Sequence, residues 1–130
     1  MWYNFLHKTE YLHKLYNEIP SLNDVRIASI TIWDEGNRIK IIFDMPRYAD
    51  FPPTKWEGCN TAVVEVDFTS IAKLELNTIS NTYRGDISIN KNSEGLLEIN
   101  IKGNLTLNAI ADSGFIQHIN AYQLLEERVI

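Results

Sequence analysis

Cysteine, histidine and long apolar runs are all scarce in this chain of 130 residues. The single cysteine, Cys59, excludes an internal disulfide, and no histidine accompanies it in a nucleophile signature. No stretch approaches the roughly 18 apolar residues of a membrane-spanning helix, and the N-terminus lacks the basic start and apolar run of a signal peptide. We therefore expect a cytoplasmic protein that does not enter a membrane.

Positive charge is also in deficit. The chain has 12 Lys and Arg residues against 17 Asp and Glu residues, which gives a formal net charge of −5. This is the wrong sign for a protein that holds nucleic acid by neutralising phosphates, so we expect no nucleic-acid ligand. An acidic surface instead favours association with a basic partner.

The sequence carries few residues that could do chemistry. The three histidines, His7, His13 and His118, do not have the spacing of metal ligands. A glycine-rich phosphate loop, a dinucleotide-binding fingerprint and a nucleophile elbow are all missing. We therefore expect a protein that is not an enzyme, with no catalytic residue, cofactor or metal.

Paired carboxylates are the remaining enzymatic possibility. Glu65 and Asp67 lie two apart on one predicted strand, so their side chains share a face at a separation of roughly 7 Å. Glu75 joins them if a tight turn occurs at Thr69 and Ser70. Such a group could act as acid and base where an apolar pocket separates the pKa values. The alternative is the solvated face of an antiparallel hairpin.

The spacing of apolar residues changes once along the chain. Between residues 1 and 19 they recur three, four and seven apart, which predicts an amphipathic N-terminal helix ended by Pro20. Over residues 25–123 the period becomes two, which predicts strands with one buried face. The turns are too short for helical crossovers, so the strands should pair antiparallel.

We predict a mainly β (α+β) fold in a single domain, residues 1–130. The N-terminal helix packs on an antiparallel β-sandwich or open barrel of about seven or eight strands. In the first strand the alternation from Ala28 to Ile32 predicts an inward face, with Trp33 on the opposite one. The predicted strand segments are 28–33, 39–44, 64–68, 73–77, 87–89, 97–101, 105–107 and 115–122, the last of them after a turn at 112–114.

The longest interruption of the strand pattern, residues 45–60, mixes aromatic and charged side chains. Such mixtures are enriched at protein interfaces, although aromatic residues here could instead cap an open end of the sheets. A second acidic group lies at the predicted hairpin turn of residues 34–37. The candidate partner-binding residues are Asp34, Glu35, Tyr48, Asp50, Trp56 and Glu57.

Three segments resemble the immunity protein 50 family. They are Pro20-Ser21-Leu22, the run Tyr-Ala-Asp-Phe-Pro-Pro-Thr-Lys-Trp at residues 48–56, and Asp-Phe-Thr-Ser-Ile at 67–71 with Leu74 and Leu76 after it. The resemblance runs over most of the chain and is best from residue 20 to 76. It implies a small, mostly β, non-catalytic protein of a bacterial polymorphic toxin system. Such a protein binds and neutralises a cognate toxin in the cytoplasm of the producing cell.

Two other functions are compatible with the residues. In the first, the chain is a small-molecule-binding or enzymatic β domain with a pocket between its sheets, lined by Trp33, Tyr83 and Phe115. In the second, it is a structural homo-oligomer, in the simplest case a homodimer. The strand from Gly85 to Ile89 would then pair at its edge, because it carries few charges to protect that edge.

Overall fold

The computed structural model describes residues 1–125 and shows six strands and one short α-helix. The strands pair antiparallel in a closed barrel of order β1-β2-β3-β6-β5-β4. The predicted mainly β fold with an N-terminal helix is thereby confirmed. In chain order the elements are α1 (Glu10–Leu15), β1 (Val25–Trp33), β2 (Arg38–Asp44), a 3-10 turn (Thr54–Trp56), β3 (Thr61–Thr78), β4 (Arg84–Lys91), β5 (Leu97–Gly103) and β6 (Leu105–Tyr122).

The structure has fewer strands than the predicted seven or eight because two pairs of predicted segments are continuous. β3 and β6 pair along their whole length, from Thr61 opposite Tyr122 to Thr78 opposite Leu105. Where a turn was expected in β3, Ser70 has a φ of 55° and the register shifts just after it. A bulge bends a strand without ending it. The bend carries the second half of β3 away from the first.

In β6, a close packing contact replaces the turn that was predicted at residues 112–114. Gly114 lies opposite Phe68, and a Cβ added to it would meet the Phe68 ring at 2.7 Å and a Leu6 methyl at 2.9 Å. The glycine therefore makes room for two core side chains, and the strand continues through it.

The bent strands β3 and β6 serve both halves of the barrel. β2 pairs with the first half of β3, and β5 pairs with the first half of β6. Strands that pass between two packed sheets at bulges enclose one core between them. Its largest fully buried side chains include Phe43, Phe68, Leu12, Leu15, Leu22, Ile39, Ile41, Leu97, Ile99, Ile101 and Leu105.

The N-terminal helix is much shorter than the predicted span of residues 1–19. Lys8, with a φ of 62°, lies just before it, and Tyr16 is already extended. At its C-terminal end the Leu15 carbonyl accepts hydrogen bonds from the backbone N–H groups of Asp50 and Phe51, at 2.9 and 3.0 Å. A distant loop therefore satisfies a carbonyl that a longer helix would have used. Of the apolar residues that suggested the helix, Leu12, Leu15, Tyr16 and Ile19 are buried nonetheless, whereas Phe5 is 40% exposed.

The alternation predicted for β1 is wrong at both ends of the strand. Ile27 is buried and Ala28 is exposed, because the register to β2 shifts between Ile27 and Ser29. Ile32 and Trp33 are 47% and 43% exposed at the hairpin tip, where the Arg38 guanidinium lies 5.0 Å from the centre of the Trp33 ring. The side chain of Trp33 is thus an exposed one.

The barrel closes through a short contact between β1 and β4. Only two residue pairs join these strands in the described chain, Val25 with Gly85 and Arg26 with Arg84. Next to them the Ile87 N–H donates to the Leu22 carbonyl at 2.9 Å. The edge of the strand from Gly85 to Ile89, which the sequence suggested for self-association, is therefore partly hydrogen-bonded to β1 and to Leu22 of the same chain. Over residues 1–125, no helix is both long enough and apolar enough to span a membrane.

Candidate functional site

The six candidate partner-binding residues lie at two ends of the barrel. Asp34 and Glu35 form the tip of the β1–β2 hairpin. The length of β2, about 23 Å at 3.3 Å per residue, separates them from the rest. We call the second end, formed by residues 44–60 and 122–124, the loop end. It holds Tyr48, Asp50, Trp56 and Glu57.

The hairpin tip places two acidic residues in an unusual backbone conformation. Asp34 and Glu35 have φ values of 54° and 57°, and the Gly36 N–H donates to the Trp33 carbonyl at 3.2 Å. Gly, Asn and Asp are the usual residues at such turns, because positive φ is unfavourable for most other side chains, so Glu35 is the less usual of the two. The Asp34 carboxylate lies 3.8 Å from Arg38 Nε, and Glu35 is exposed.

Trp56 is a buried anchor of the loop. It is 4% exposed, packs edge-on against Tyr11 of α1 with ring centroids 6.2 Å apart, and lies 6.1 Å from the Tyr48 ring. The Tyr48 hydroxyl donates to the Trp56 carbonyl at 3.4 Å, while the rest of Tyr48 is partly exposed. Trp56 therefore fixes the loop, and Tyr48 is the aromatic side chain that the loop presents outward.

Asp50 joins the loop to the N-terminal segment. Its carboxylate accepts hydrogen bonds from the Asn17 N–H at 2.9 Å and from Arg47 Nη1 at 2.6 Å. These two contacts, the Asn17 N–H first, hold the pKa of Asp50 below its usual value. Arg47 also donates to the Glu18 carbonyl at 2.5 Å and lies 5.2 Å from the centre of the Tyr16 ring. Asp50 and Arg47 therefore link the loop to the N-terminal segment.

Glu57 borders a shallow concavity whose lining includes Pro52 and Pro53, from the segment at residues 48–56 that resembles the immunity protein 50 family. Its volume is about 400 Å³, and we call it the proline groove. Phe51 of the same loop is 61% exposed. The principal residues lining the groove are Tyr48, Pro52, Pro53, Trp56, Glu57 and Cys59.

A second concavity, of about 340 Å³, lies on the other side of Tyr48, and we call it the Asp44 cleft. Asp44 is 6% exposed, and its Oδ2 accepts hydrogen bonds from the Tyr122 hydroxyl at 2.6 Å and from Arg26 Nη1 at 3.4 Å. Burial, and then the bond to Asp44, raise the pKa of Tyr122 to about 12. The charged or aromatic residues that line the cleft are Asp24, Arg26, Asp44, Arg47, Tyr48 and Arg84.

Sequence reasoning missed Asp44. It falls at the outward position after Phe43, where alternation predicts a solvated side chain. The residue that donates the shortest hydrogen bond to its carboxylate, Tyr122, is 78 positions away in the chain. The burial of Asp44 therefore cannot be recognised from the residues next to it in the sequence.

Glu65 and Asp67 lie on the same outer face of β3, as their spacing predicted. Lys40 Nζ is 3.7 Å from the Glu65 carboxylate, whereas Asp67 is 9% exposed and its Oδ1 has no hydrogen-bond partner within residues 1–125. Burial raises the pKa of Asp67 against the opposing effect of Lys40. Glu75 does not join them, because the bend in β3 takes it to the other half of the barrel, where it pairs with Lys73 at 3.0 Å.

The substitution Asp67→Asn is expected to stabilise the protein at pH 7 by about 1 kcal/mol, a few degrees in Tm. The folded-state pKa of Asp67 lies above the unfolded value of 3.8, so wild-type stability falls as the pH rises through the folded pKa. The asparagine variant lacks that loss. Thermal unfolding of both proteins from pH 3 to 8 should show curves that diverge as the pH increases.

Glu65→Gln is the matched control, since it removes the same charge from the same face but leaves Lys40 unpaired. It should give no gain in Tm. An Asp67→Asn variant no more stable than wild type at pH 7 would contradict the assignment of an unfavourable buried charge.

These observations define a small, mainly β protein with two adjacent concavities at its loop end. Within the described residues, no group of three or more His, Cys, Asp or Glu side chains could hold a metal ion. The sequence profile described as Immunity protein 50 matches residues 8–122, most of the chain, and the chain belongs to this family. The resemblance found in the sequence is confirmed. Neither a curated protein nor a solved structure gives a significant match.

Proposed function

We propose that this chain is a non-catalytic immunity protein, which binds a cognate bacterial toxin in the cytoplasm of the producing cell and neutralises it. Membership of the immunity protein 50 family over residues 8–122 carries the proposal. The formal charge of −5 supports a basic toxin as the partner, because opposite charge speeds association and fixes register.

The loop end is the proposed contact surface. Tyr48 lies between two concavities and Glu57 borders one of them, so both can be reached by a partner. Trp56 supports the surface from behind through its contact to Tyr11, and the exposed Asp50 holds the loop to Asn17. Asp34 and Glu35 offer a second acidic contact to a partner large enough to reach the other end.

The test begins with the tagged protein, purified from its source bacterium at low salt so that electrostatic complexes survive. A companion recovered at equal stoichiometry is then expressed in a heterologous host, with and without this chain. We expect the companion to arrest growth alone and the chain to restore it. A companion whose toxicity persists in the presence of the folded chain would overturn the proposal.

Two variants then test the surface. Tyr48→Ala and Glu57→Ala are each expected to weaken toxin affinity by about tenfold or more, as measured by calorimetry, with circular dichroism unchanged. Glu94→Ala removes the same charge as Glu57→Ala at an exposed turn between β4 and β5 and should bind like wild type. Unchanged affinity in both loop variants would remove the loop end from the interface.

A further inference from the structure

One side of β1 has no partner along most of the strand. Residues 29–33 pair with β2 on one side. On the other side, the contacts of β1 end at Ile27, whose N–H donates to the Tyr83 carbonyl at 3.0 Å. Beyond that bond, no backbone hydrogen bond from residues 1–125 reaches this side of the strand. We call residues 28–33, on this side, the free edge of β1.

The free edge lacks the charges and prolines that usually keep exposed strands from pairing. Its sequence is Ala-Ser-Ile-Thr-Ile-Trp, and Ile32 and Trp33 are 47% and 43% exposed. In the described chain, the second half of β3 also has one unpaired side, but that half carries Lys73 and Glu75. An unguarded edge with exposed apolar side chains is typical of a surface that another strand covers.

A concavity of about 670 Å³ lies at the Ile27 end of the free edge, and we call it the Tyr83 concavity. It is lined by residues 26–28 and 81–84. The charged residues among them are Arg26 and Arg84, whose side chains are each 50% exposed. Within residues 1–125 the Arg26 side chain makes one hydrogen bond, at 3.4 Å, so most of its five N–H donors are unused. The other end of the free edge leads into the acidic hairpin tip, Asp34 and Glu35.

We propose that two copies of this chain pair antiparallel through their free edges and form a symmetric dimer. Antiparallel pairing of identical strands creates a two-fold axis, so every contact occurs twice. With Thr31 of the two copies opposite each other, Asp34 of one copy lies opposite Ala28 of the other. The acidic tip then adjoins the Tyr83 concavity of the second copy, where Arg26 and Arg84 lie.

The same pairing covers the apolar side chains of the free edge. Ile30 and Ile32 lie on the core face of β1, since Ile41 and Ile39, their partners in β2, are buried. In the dimer, Ile30 of one copy lies opposite Ile32 of the other, which removes exposed apolar surface from water. The free edge has no charged residue, so no like charges meet within it.

A second copy fits this edge better than a strand of another protein. The two complementary groups, the acidic tip and the Arg-lined concavity, belong to one chain and lie at the two ends of one edge. The dimer does not depend on the proposed immunity function, and it leaves the loop end accessible. A toxin that also contacts Asp34 and Glu35 would compete with the second copy.

Sedimentation of the purified full chain from about 5 to about 500 µM tests the dimer without any toxin. We expect a reversible monomer–dimer equilibrium with a Kd on the order of 10–100 µM, because one pair of strands makes a small interface. Thr31→Lys should weaken the dimer by about tenfold or more, since it places two lysines opposite each other. Asn77→Lys adds the same charge at an exposed position of β3 and should change the Kd by less than about twofold.

Neutralising the tip separates contact from net charge. Asp34→Asn combined with Glu35→Gln removes two negative charges from a chain of net charge −5, which by itself reduces repulsion between the copies and favours association. Contact of the tip with Arg26 and Arg84 predicts the opposite, a Kd raised by about fivefold. Circular dichroism and Tm establish that each variant is folded.

Four results would overturn the inference. A chain that stays monomeric at the highest concentration does not pair through its free edge. A dimer weakened as much by Asn77→Lys as by Thr31→Lys does not use β1 specifically, and a tip variant that dimerises more tightly than wild type has no contact at the Tyr83 concavity. Slower amide exchange of residues 28–33 that requires added toxin would make a strand of the toxin the occupant.

Discussion

Replacing Trp56 with alanine is expected to lower the free energy of unfolding by about 3–5 kcal/mol. The indole is 4% exposed and packs between Tyr11 of α1 and Tyr48 of the loop, so its removal leaves a large cavity between the two. Because Tyr48 donates to the Trp56 carbonyl, the loop end should lose its conformation as well. Urea unfolding followed by circular dichroism measures the change.

Phe51→Ala is the control for this prediction. It removes a large aromatic side chain from the same loop, but Phe51 is 61% exposed, so the loss should stay within about 0.5 kcal/mol. Similar losses for the two variants would contradict the assignment of Trp56 as the anchor. A toxin affinity lost in Trp56→Ala is therefore to be interpreted through folding, and Tyr48→Ala is the variant that reports on contact.

Gly103→Ala is expected to destabilise the protein by about 3 kcal/mol or more, because the added methyl group has no space. A Cβ on Gly103 would overlap the Arg84 carbonyl oxygen and approach the Gly85 Cα to 2.5 Å. Both obstacles are backbone atoms, which cannot move aside as a flexible side chain can. The same two residues of β4 pair with β1, so the substitution strains the closure of the barrel.

Gly95→Ala separates this steric effect from the effect of backbone conformation. Gly95 has a φ of 81° in an open turn, and nothing lies within 4 Å of its would-be Cβ. It should cost only about 1–2 kcal/mol, the penalty of a left-handed conformation for alanine. A Gly103→Ala variant that unfolds at the same denaturant concentration as Gly95→Ala would show that the strands can separate at this point.

The sequence by itself determined the class of fold, the hairpin turn and the family. A period of two is a local property of strands with one buried face, so the mainly β architecture can be recognised without knowing how strands pair. The turn at residues 34–37 and the ordered loop of 45–60 are marked by their own residues, as is the resemblance over 20–76. The family is confirmed over residues 8–122.

Only the tertiary structure decided how many strands there are, how long the helix is and which carboxylate is buried. A bulge at Ser70 and a turn at Ser70 interrupt the apolar pattern in the same way, and the choice depends on pairing with β6. The helix ends at Leu15 because a loop 35 residues later bonds its carbonyl. Asp44 is buried and accepts a hydrogen bond from Tyr122, 78 residues away. Periodicity reports the burial of one element at a time, whereas these features arise from contacts between distant elements.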